Sequence, residues 1–355
     1  MNYELRIILY LCTIFYMETA KRTVKRRMPA EWERQYAVQL TWPHKDTDWC
    51  NMLPEITAVY EQIAREISKR EELIIVGTKG AELPSNINYQ LSIINSNDTW
   101  ARDHGFITIF EEDCSPLTIR LLDFKFNGWG EKFPAELDNQ INRQLFPQLT
   151  THHSLSTIYE PHLDFVLEGG SIESDGQGTV FTTTSCLLAP HRNQPLTQAE
   201  IEERLKEWLG AERVVWLEHG SLIGDDTDGH IDTLARICPN DTILYTGADS
   251  DHPDLVEMEK ELQSLRTTDG RPYRLLRLPL PRPIYDGEDR LPATYANYLV
   301  INGAVLYPTY GQPDLDDEAR DTIQQAYPDR EMVGIDCQPV IRQHGSLHCC
   351  TMQYY

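Results

Sequence analysis

The stretch Asp225-Asp-Thr-Asp-Gly-His-Ile-Asp232 packs four carboxylates and an imidazole into eight residues, and it is the middle term of a series. Working outward from His230, Asp103 and Glu168 lie on the N-terminal side, Asn297 and Cys349 on the C-terminal side. Each sits beside a strand-like segment, and the intervals are 65, 62, 67 and 52 residues. Near-constant recurrence is the signature of a repeated supersecondary unit. Five such units around an axis would bring one functional residue from each to a common centre.

The elements between these anchors alternate. Helical spacing of apolar residues predicts helices over Glu55 to Lys69, Thr197 to Leu209 and Pro313 to Tyr327, the last with acidic residues in its opening turn. Short apolar runs predict strands at Glu72 to Gly77, Phe106 to Phe110, Leu117 to Leu122, Thr179 to Thr184, Arg213 to Leu217, Thr242 to Tyr245 and Ala304 to Pro308. Strand and helix in alternation give the α/β class. No linker or low-complexity run divides residues 28 to 355.

The formal charge of -23 narrows the partners. Phosphate backbones and anionic membrane surfaces would be repelled. A small cationic substrate would be drawn in, because a cleft lined by one sign of charge concentrates the opposite ion. The eight cysteines include no CxxC pair, which disfavours a structural zinc or a dithiol redox motif and points to a reducing, cytoplasmic compartment. Residues 1–27 stand apart. Leu5 to Tyr16 is largely apolar yet too short to span a bilayer, and a basic patch follows at Lys21, Arg22, Lys25, Arg26 and Arg27. It reads as an extension upstream of a start at Met17 or Met28, with a secretory signal as the alternative.

Each anchor has chemistry to offer. Asp103, in Thr-Trp-Ala-Arg-Asp-His-Gly (Thr99 to Gly105), could grip a delocalised cation by paired charge-assisted hydrogen bonds. It could equally pair with Arg102 or cap a turn. Glu168-Gly169-Gly170 joins a carboxylate to a glycine turn, ahead of an Asp175-Gly-Gln-Gly178 hairpin signal, and Glu168 could orient a histidine. On a strand, His230 and Asp232 would share a face, one to move protons and one to hold a cation. The same acidic string could instead bind a divalent metal, and Asp225 and Asp226 read as a solvated loop. At the C-terminus, Gly345-Ser-Leu-His-Cys-Cys350 offers a thiol beside a histidine. On a strand His348 would point away from Cys349, leaving His230 as the proton-transfer partner.

These segments together resemble the agmatine deiminase family of the guanidine-modifying pentein superfamily. The resemblance runs from Met28 onward through MPAEWE, TWPHKDTDW, NDTWARDHG, FNGWGEKF, EGGSIESDGQGTVFTTTSCLL, GDDTDGHIDTLARI, YANYLVINGAVLYPTYG, YPDREMVGID and GSLHC. It implies a five-bladed, pseudo-symmetric α/β propeller as a single catalytic domain over 28–355, acting as a dimer or higher homo-oligomer. It implies hydrolysis of agmatine to N-carbamoylputrescine and ammonia in polyamine synthesis, without metal or organic cofactor. Deimination of free or peptidyl arginine is the alternative, and a non-catalytic or metal-binding relative a more distant one. By position, Cys349 matches the nucleophile, His230 the general acid and base, Glu168 its carboxylate, and Asp103 and Asp232 the guanidinium-binding pair. Trp100 is expected to line the substrate site. The chain departs from the family pattern at Gln343-His344, Ser346 and Phe106, positions expected to shape the pocket, and Cys350 adds a second thiol.

Overall fold

The computed structural model describes residues 25–112, 117–150, 156–247 and 251–355. The apolar stretch Leu5 to Tyr16, Lys21, Arg22, and the thiols Cys12 and Cys114 lie outside them.

One unit recurs five times: two antiparallel strands, then a helix, then a strand parallel to the second. The first begins with β1 (Ala37–Thr41), α1 (Leu53–Ser68), β2 (Glu72–Gly77) and an edge strand β3 (Gln90–Ile93). The second comprises β4 (Ile107–Glu111), β5 (Thr118–Lys125), α2 (Ile141–Thr150) and β6 (Ser156–Val166). The third comprises β7 (Ile172–Ser174), β8 (Thr179–Thr183), α3 (Gln198–Leu209) and β9 (Arg213–Leu217). The fourth comprises β10 (Ala235–Cys238), β11 (Thr242–Thr246), α4 (Pro253–Ser264) and β12 (Arg274–Leu278). The fifth comprises β13 (Leu299–Ile301), β14 (Ala304–Thr309), α5 (Pro313–Ala326) and β15 (Glu331–Asp336). The last strand, β16 (Thr351–Tyr354), pairs antiparallel with β1, so the two ends of the described chain complete one sheet.

Local chemistry sets these elements. Along α1, Ile56, Val59, Tyr60, Ile63, Ala64 and Ile67 recur at three- and four-residue spacing and are buried, while Pro54 and Glu55 occupy the first turn. Fully burying one such isoleucine contributes roughly 2 kcal/mol, so this stripe rather than helix propensity fixes the element. In α3 the Thr197 and Glu200 side chains cap each other's backbone, and Gly210 ends the helix at φ 69°. The central strands β2, β8 and β14 are apolar or β-branched runs because helix and sheet neighbours cover both faces. The predicted hairpin at Asp175–Gly178 forms between β7 and β8, with the Asp175 carboxylate accepting from the amides of Gln177 (2.7 Å) and Thr179 (2.9 Å).

Two expectations change. His230 and Asp232 do not lie on a strand: Ile231–Thr233 is a single 3₁₀ turn preceding β10. His348–Cys350 is likewise a 3₁₀ turn preceding β16, so the strand argument that aimed His348 away from the site does not apply. Arg26 and Arg27 pair in register with Glu111 and Phe110, and Arg26 makes a two-pronged contact with Glu160 at 2.9 Å.

Candidate active site

In every unit the residues just before the first strand turn toward the same place. The segment before β4 carries Asp103 on the short helix Ala101–His104, and that before β7 carries Glu168, Gly169 and Gly170. His230 and Asp232 precede β10, Asn297 precedes β13, and Cys349 precedes β16. The structure therefore brings together all five residues expected to be catalytic, Asp103, Glu168, His230, Asp232 and Cys349, and sets Asn297 beside them.

The contacts are specific. Asp103 Oδ1 accepts from the Gly170 amide (3.0 Å) and lies 3.7 Å from His230 Nδ1, while Oδ2 accepts from the Trp129 indole (3.0 Å). Asp232 Oδ2 accepts from His348 Nδ1 at 2.7 Å and sits 4.0 Å from Cys349 Sγ. The Cys349 thiol and the His348 amide both donate to Asn297 Oδ1, at 3.3 and 2.9 Å. Glu168 Oε1 accepts from Arg192 Nε at 3.0 Å. The contact between Arg102 and Asp103 weighed from the sequence does not form, since Arg102 turns to Gln353 and the His348 carbonyl.

Two glycines allow this approach. A Cβ on Gly169 would lie 2.2 Å from the Arg102 carbonyl oxygen. One on Gly170 would lie 2.7 Å from His230 Nδ1, 2.9 Å from Asp103 Oδ1 and 3.0 Å from Asp232 Oδ2. Gly170 thus forms the floor between the three charged groups.

Both nitrogens of His230, Oε2 of Glu168 and Oδ1 of Asp232 are buried and have no hydrogen-bond partner among the described residues. Burial of unsatisfied polar atoms costs about 1–3 kcal/mol each, more for charged groups, and clustering of such atoms marks a place for a ligand rich in donors. Charge completes the picture. Burial works against a protonated His230, but the negative charge of Asp103 leads the groups that raise it well above the ordinary imidazole range. Burial, then Asp232 and Asp103, push the Cys349 thiol well above its ordinary range. Asp103 is raised by burial and by Asp232, whereas Asp232, despite burial, is held low by His348.

Above this centre is a cavity of about 210 Å³ lined by Trp100, Trp129, Asp98, Asp226, Gln343 and His344 among others, with Asp103 and Cys349 exposed to it. Trp100 is its wall, packed so closely on Gly345 that a Cβ there would lie 2.2 Å from the ring. Asp225 and Asp226 do not form a solvated loop. Asp225 pins the turn, accepting from Thr227 and the Gly229 amide (2.7 Å), and Asp226 faces the cavity. Asp228 pairs with Arg192 and Lys132. Phe106 does not shape the pocket: it packs in the core against Phe146, Tyr159 and Tyr354. Cys350 donates to the Ser346 carbonyl at 3.4 Å, and Ser346 in turn bonds Tyr310, so the second thiol belongs to the core.

Sequence reasoning overlooked three participants. Arg192 fixes Glu168 and brings a guanidinium against the buried Glu168, Cys186 and His230 group, which disfavours a metal cation there. Asn297 appeared only as a repeat anchor. His348 belongs to a second charged network, its Nε2 lying 3.2 Å from both Glu31 and Arg236, while Arg236 also pairs with Glu173.

A model of the Porphyromonas-type peptidyl-arginine deiminase family matches residues 27–354. The agmatine deiminase of Pseudomonas aeruginosa strain LESB58 is 32% identical over 360 residues, spanning 92% of this chain and 95% of that protein. Among solved structures, a Porphyromonas gingivalis protein provisionally assigned as an arginine deiminase superposes with a TM-score of 0.85 at 49% identity, covering 93% of this chain and 98% of that one. The C. jejuni agmatine deiminase with substrate bound gives a TM-score of 0.84 at 36% identity, covering 93% and 96%. This chain belongs to the Porphyromonas-type peptidyl-arginine deiminase family, together with the agmatine deiminases it matches over nearly its whole length.

Proposed function

We propose that the protein hydrolyses agmatine to N-carbamoylputrescine and ammonia through a covalent adduct on Cys349. The observation that carries this is the pair of buried, unpartnered carboxylate oxygens on Asp232 and Glu168, beside His230 and a thiol. A planar guanidinium supplies donors in a fixed fork and the positive charge this group lacks. Asp103 and Asp232 hold the cation, and its charge offsets theirs, which favours the Cys349 thiolate, the thiol proton passing to solvent. The thiolate sulfur bonds to the guanidinium carbon. His230, protonated at neutral pH, gives its proton to the departing amino group, and the C–N bond breaks to release ammonia. Water, deprotonated by His230, then adds to the same carbon, the C–S bond breaks, and the ureido product leaves. The five units form a closed five-bladed propeller in this reading, with the β16–β1 pairing as its closure.

The far end of the substrate decides between agmatine and arginine. Asp48, Asp98 and Asp226 line the cavity, and among the described residues no lysine or arginine does. Arg102 and Arg236, the cations nearest in sequence, are committed to Gln353 and to Glu31 and Glu173. An amine is matched there and a carboxylate opposed, so kcat/KM for agmatine should exceed that for free arginine at least about 100-fold, close to 3 kcal/mol. Assay of ammonia release from both substrates and from a peptidyl arginine decides it. Arginine turnover equal to agmatine turnover would move the substrate to the alternative reading.

Binding should also report those carboxyls. Burial raises Asp98 to about 7 and Asp226 to about 6. Both must lose a proton to pair with an ammonium, so affinity strengthens as pH rises through 6 to 7 and weakens as it falls. In Cys349→Ser protein, the Kd for agmatine at pH 5.5 should be at least about tenfold weaker than at pH 8, since each unit of linkage is 1.36 kcal/mol and two carboxyls must ionise. Calorimetry checks this, and Asp226→Asn should flatten the dependence. A Kd constant over that range would show that the amine is not read by these groups.

The described cysteines, including buried Cys186, Cys238 and Cys337, are all unpaired, in keeping with a cytoplasmic setting. Among the described residues no helix is long and apolar enough to cross a membrane. The enzyme is taken to act as a homo-oligomer without nucleic-acid partners, and sedimentation tests its assembly.

A further inference from the structure

The segment before the nucleophile carries a departure that the reaction itself does not explain. His344 adopts φ 63° and ψ -2°, a left-handed conformation that favours glycine and that few other residues occupy. Two side-chain contacts hold it there. His344 Nδ1 donates to the Gly224 carbonyl at 2.6 Å, and the neighbouring Gln343 Nε2 donates to the Asp48 carbonyl at 3.1 Å. Gly224 and Asp48 belong to different units, ahead of β10 and α1. Residues 343 and 344 therefore tie two separate walls of the cavity together, and both line it. Gly345, pressed on Trp100, anchors the tie from below.

The tie crosses the outer part of the site. Cys349 and Asp103 at the base are buried, whereas Asp48 and Phe133 are exposed and Asp226, Gln343 and His344 are partly so. A free alkylguanidine ends in a single small ammonium and fits beneath such a tie beside Asp226. An arginine within a peptide continues in two directions from its α-carbon, through amides that would need to pass between His344 and the Gly224 wall.

We propose that His344 is a specificity-determining residue, a strap across the cavity mouth that admits free alkylguanidines ending in an amine and excludes arginine side chains attached to a peptide backbone. The inference rests on the deiminase reading above and adds to it the shape of substrate that the site refuses.

The test compares full-length wild-type, His344→Gly and His344→Asn proteins on agmatine and on N-acetyl-arginine methylamide, a minimal peptidyl arginine. Glycine takes the observed backbone conformation without strain and asparagine tolerates it, so a melting curve should show both variants folded. The ratio of kcat/KM for the peptidyl compound to that for agmatine should rise at least about tenfold in His344→Gly, mostly through a lower KM for the peptidyl compound, and by less in His344→Asn. A ratio unchanged in His344→Gly overturns the strap. If the wild-type enzyme turns over neither compound, the deiminase reading fails instead, so the two failures are distinguishable.

Discussion

Alanine at Gly170 should lower kcat/KM for agmatine at least about a thousandfold, or roughly 4 kcal/mol of transition-state stabilisation, with little loss of folded protein. The effect does not come from backbone freedom, because Gly170 has no left-handed φ. It comes from space. One added methyl would stand 2.7 to 3.0 Å from His230, Asp103 and Asp232 at once, closer than real Cβ contacts allow. The two carboxylates cannot retreat cheaply, since Asp103 is held by the Trp129 indole and Asp232 by His348. The methyl therefore displaces the guanidinium rather than its ligands. A core overpacked by one methyl loses about 1–3 kcal/mol of stability, which a melting curve would register as a shift of a few degrees. Steady-state kinetics with agmatine provide the check. Retention of a tenth of the parental kcat/KM would mean that the cation lies elsewhere than between the two aspartates.

The parts of this molecule that local chemistry determines were legible before any coordinates. The helices expected over Glu55 to Lys69 and Thr197 to Leu209 and the Asp175–Gly178 hairpin each depend on residues within a few turns or one hairpin, and each forms at or within two residues of its expected place. The spacing of Asp103, Glu168, His230, Asn297 and Cys349 reflects the repeated unit and so located the centre. What the sequence concealed depends on partners far along the chain. Arg192 meets Glu168 across 24 residues, and Asn297 meets the His348–Cys349 turn across about 50. His348 was set aside on the alternation of a strand, and the 3₁₀ turn that brings it onto Asp232 has no strong propensity signal of its own. Phe106 looked like a pocket residue because it follows Gly105 in a site motif, yet it is the first residue past the site and joins an aromatic cluster in the core. The strand β6 was missed because its exposed face mixes charged and polar residues, leaving no clear apolar alternation.

Serine at Cys349 should abolish agmatine turnover, with a loss of at least about ten-thousandfold, because an alcohol is far less readily ionised than a thiol and no other thiol among the described residues lines the cavity. Cys350→Ser should retain turnover, since that thiol points into the core. The more discriminating consequence concerns the empty enzyme. Burial and the charges of Asp232 and Asp103 keep Cys349 protonated well past the ordinary thiol range. The thiol is therefore unreactive until a guanidinium cancels the negative charge beside it, so ionisation and substrate binding are one event. Iodoacetamide, which is neutral and brings no such charge, should alkylate Cys349 in the empty enzyme more slowly at pH 7 than it alkylates glutathione. The rate should still be climbing above about pH 10, where a free thiol has levelled off. Mass spectrometry of the modified peptide measures both. Alkylation at pH 7 faster than that of glutathione would show a thiolate already formed beside His230, and would move the source of activation from the substrate to the enzyme.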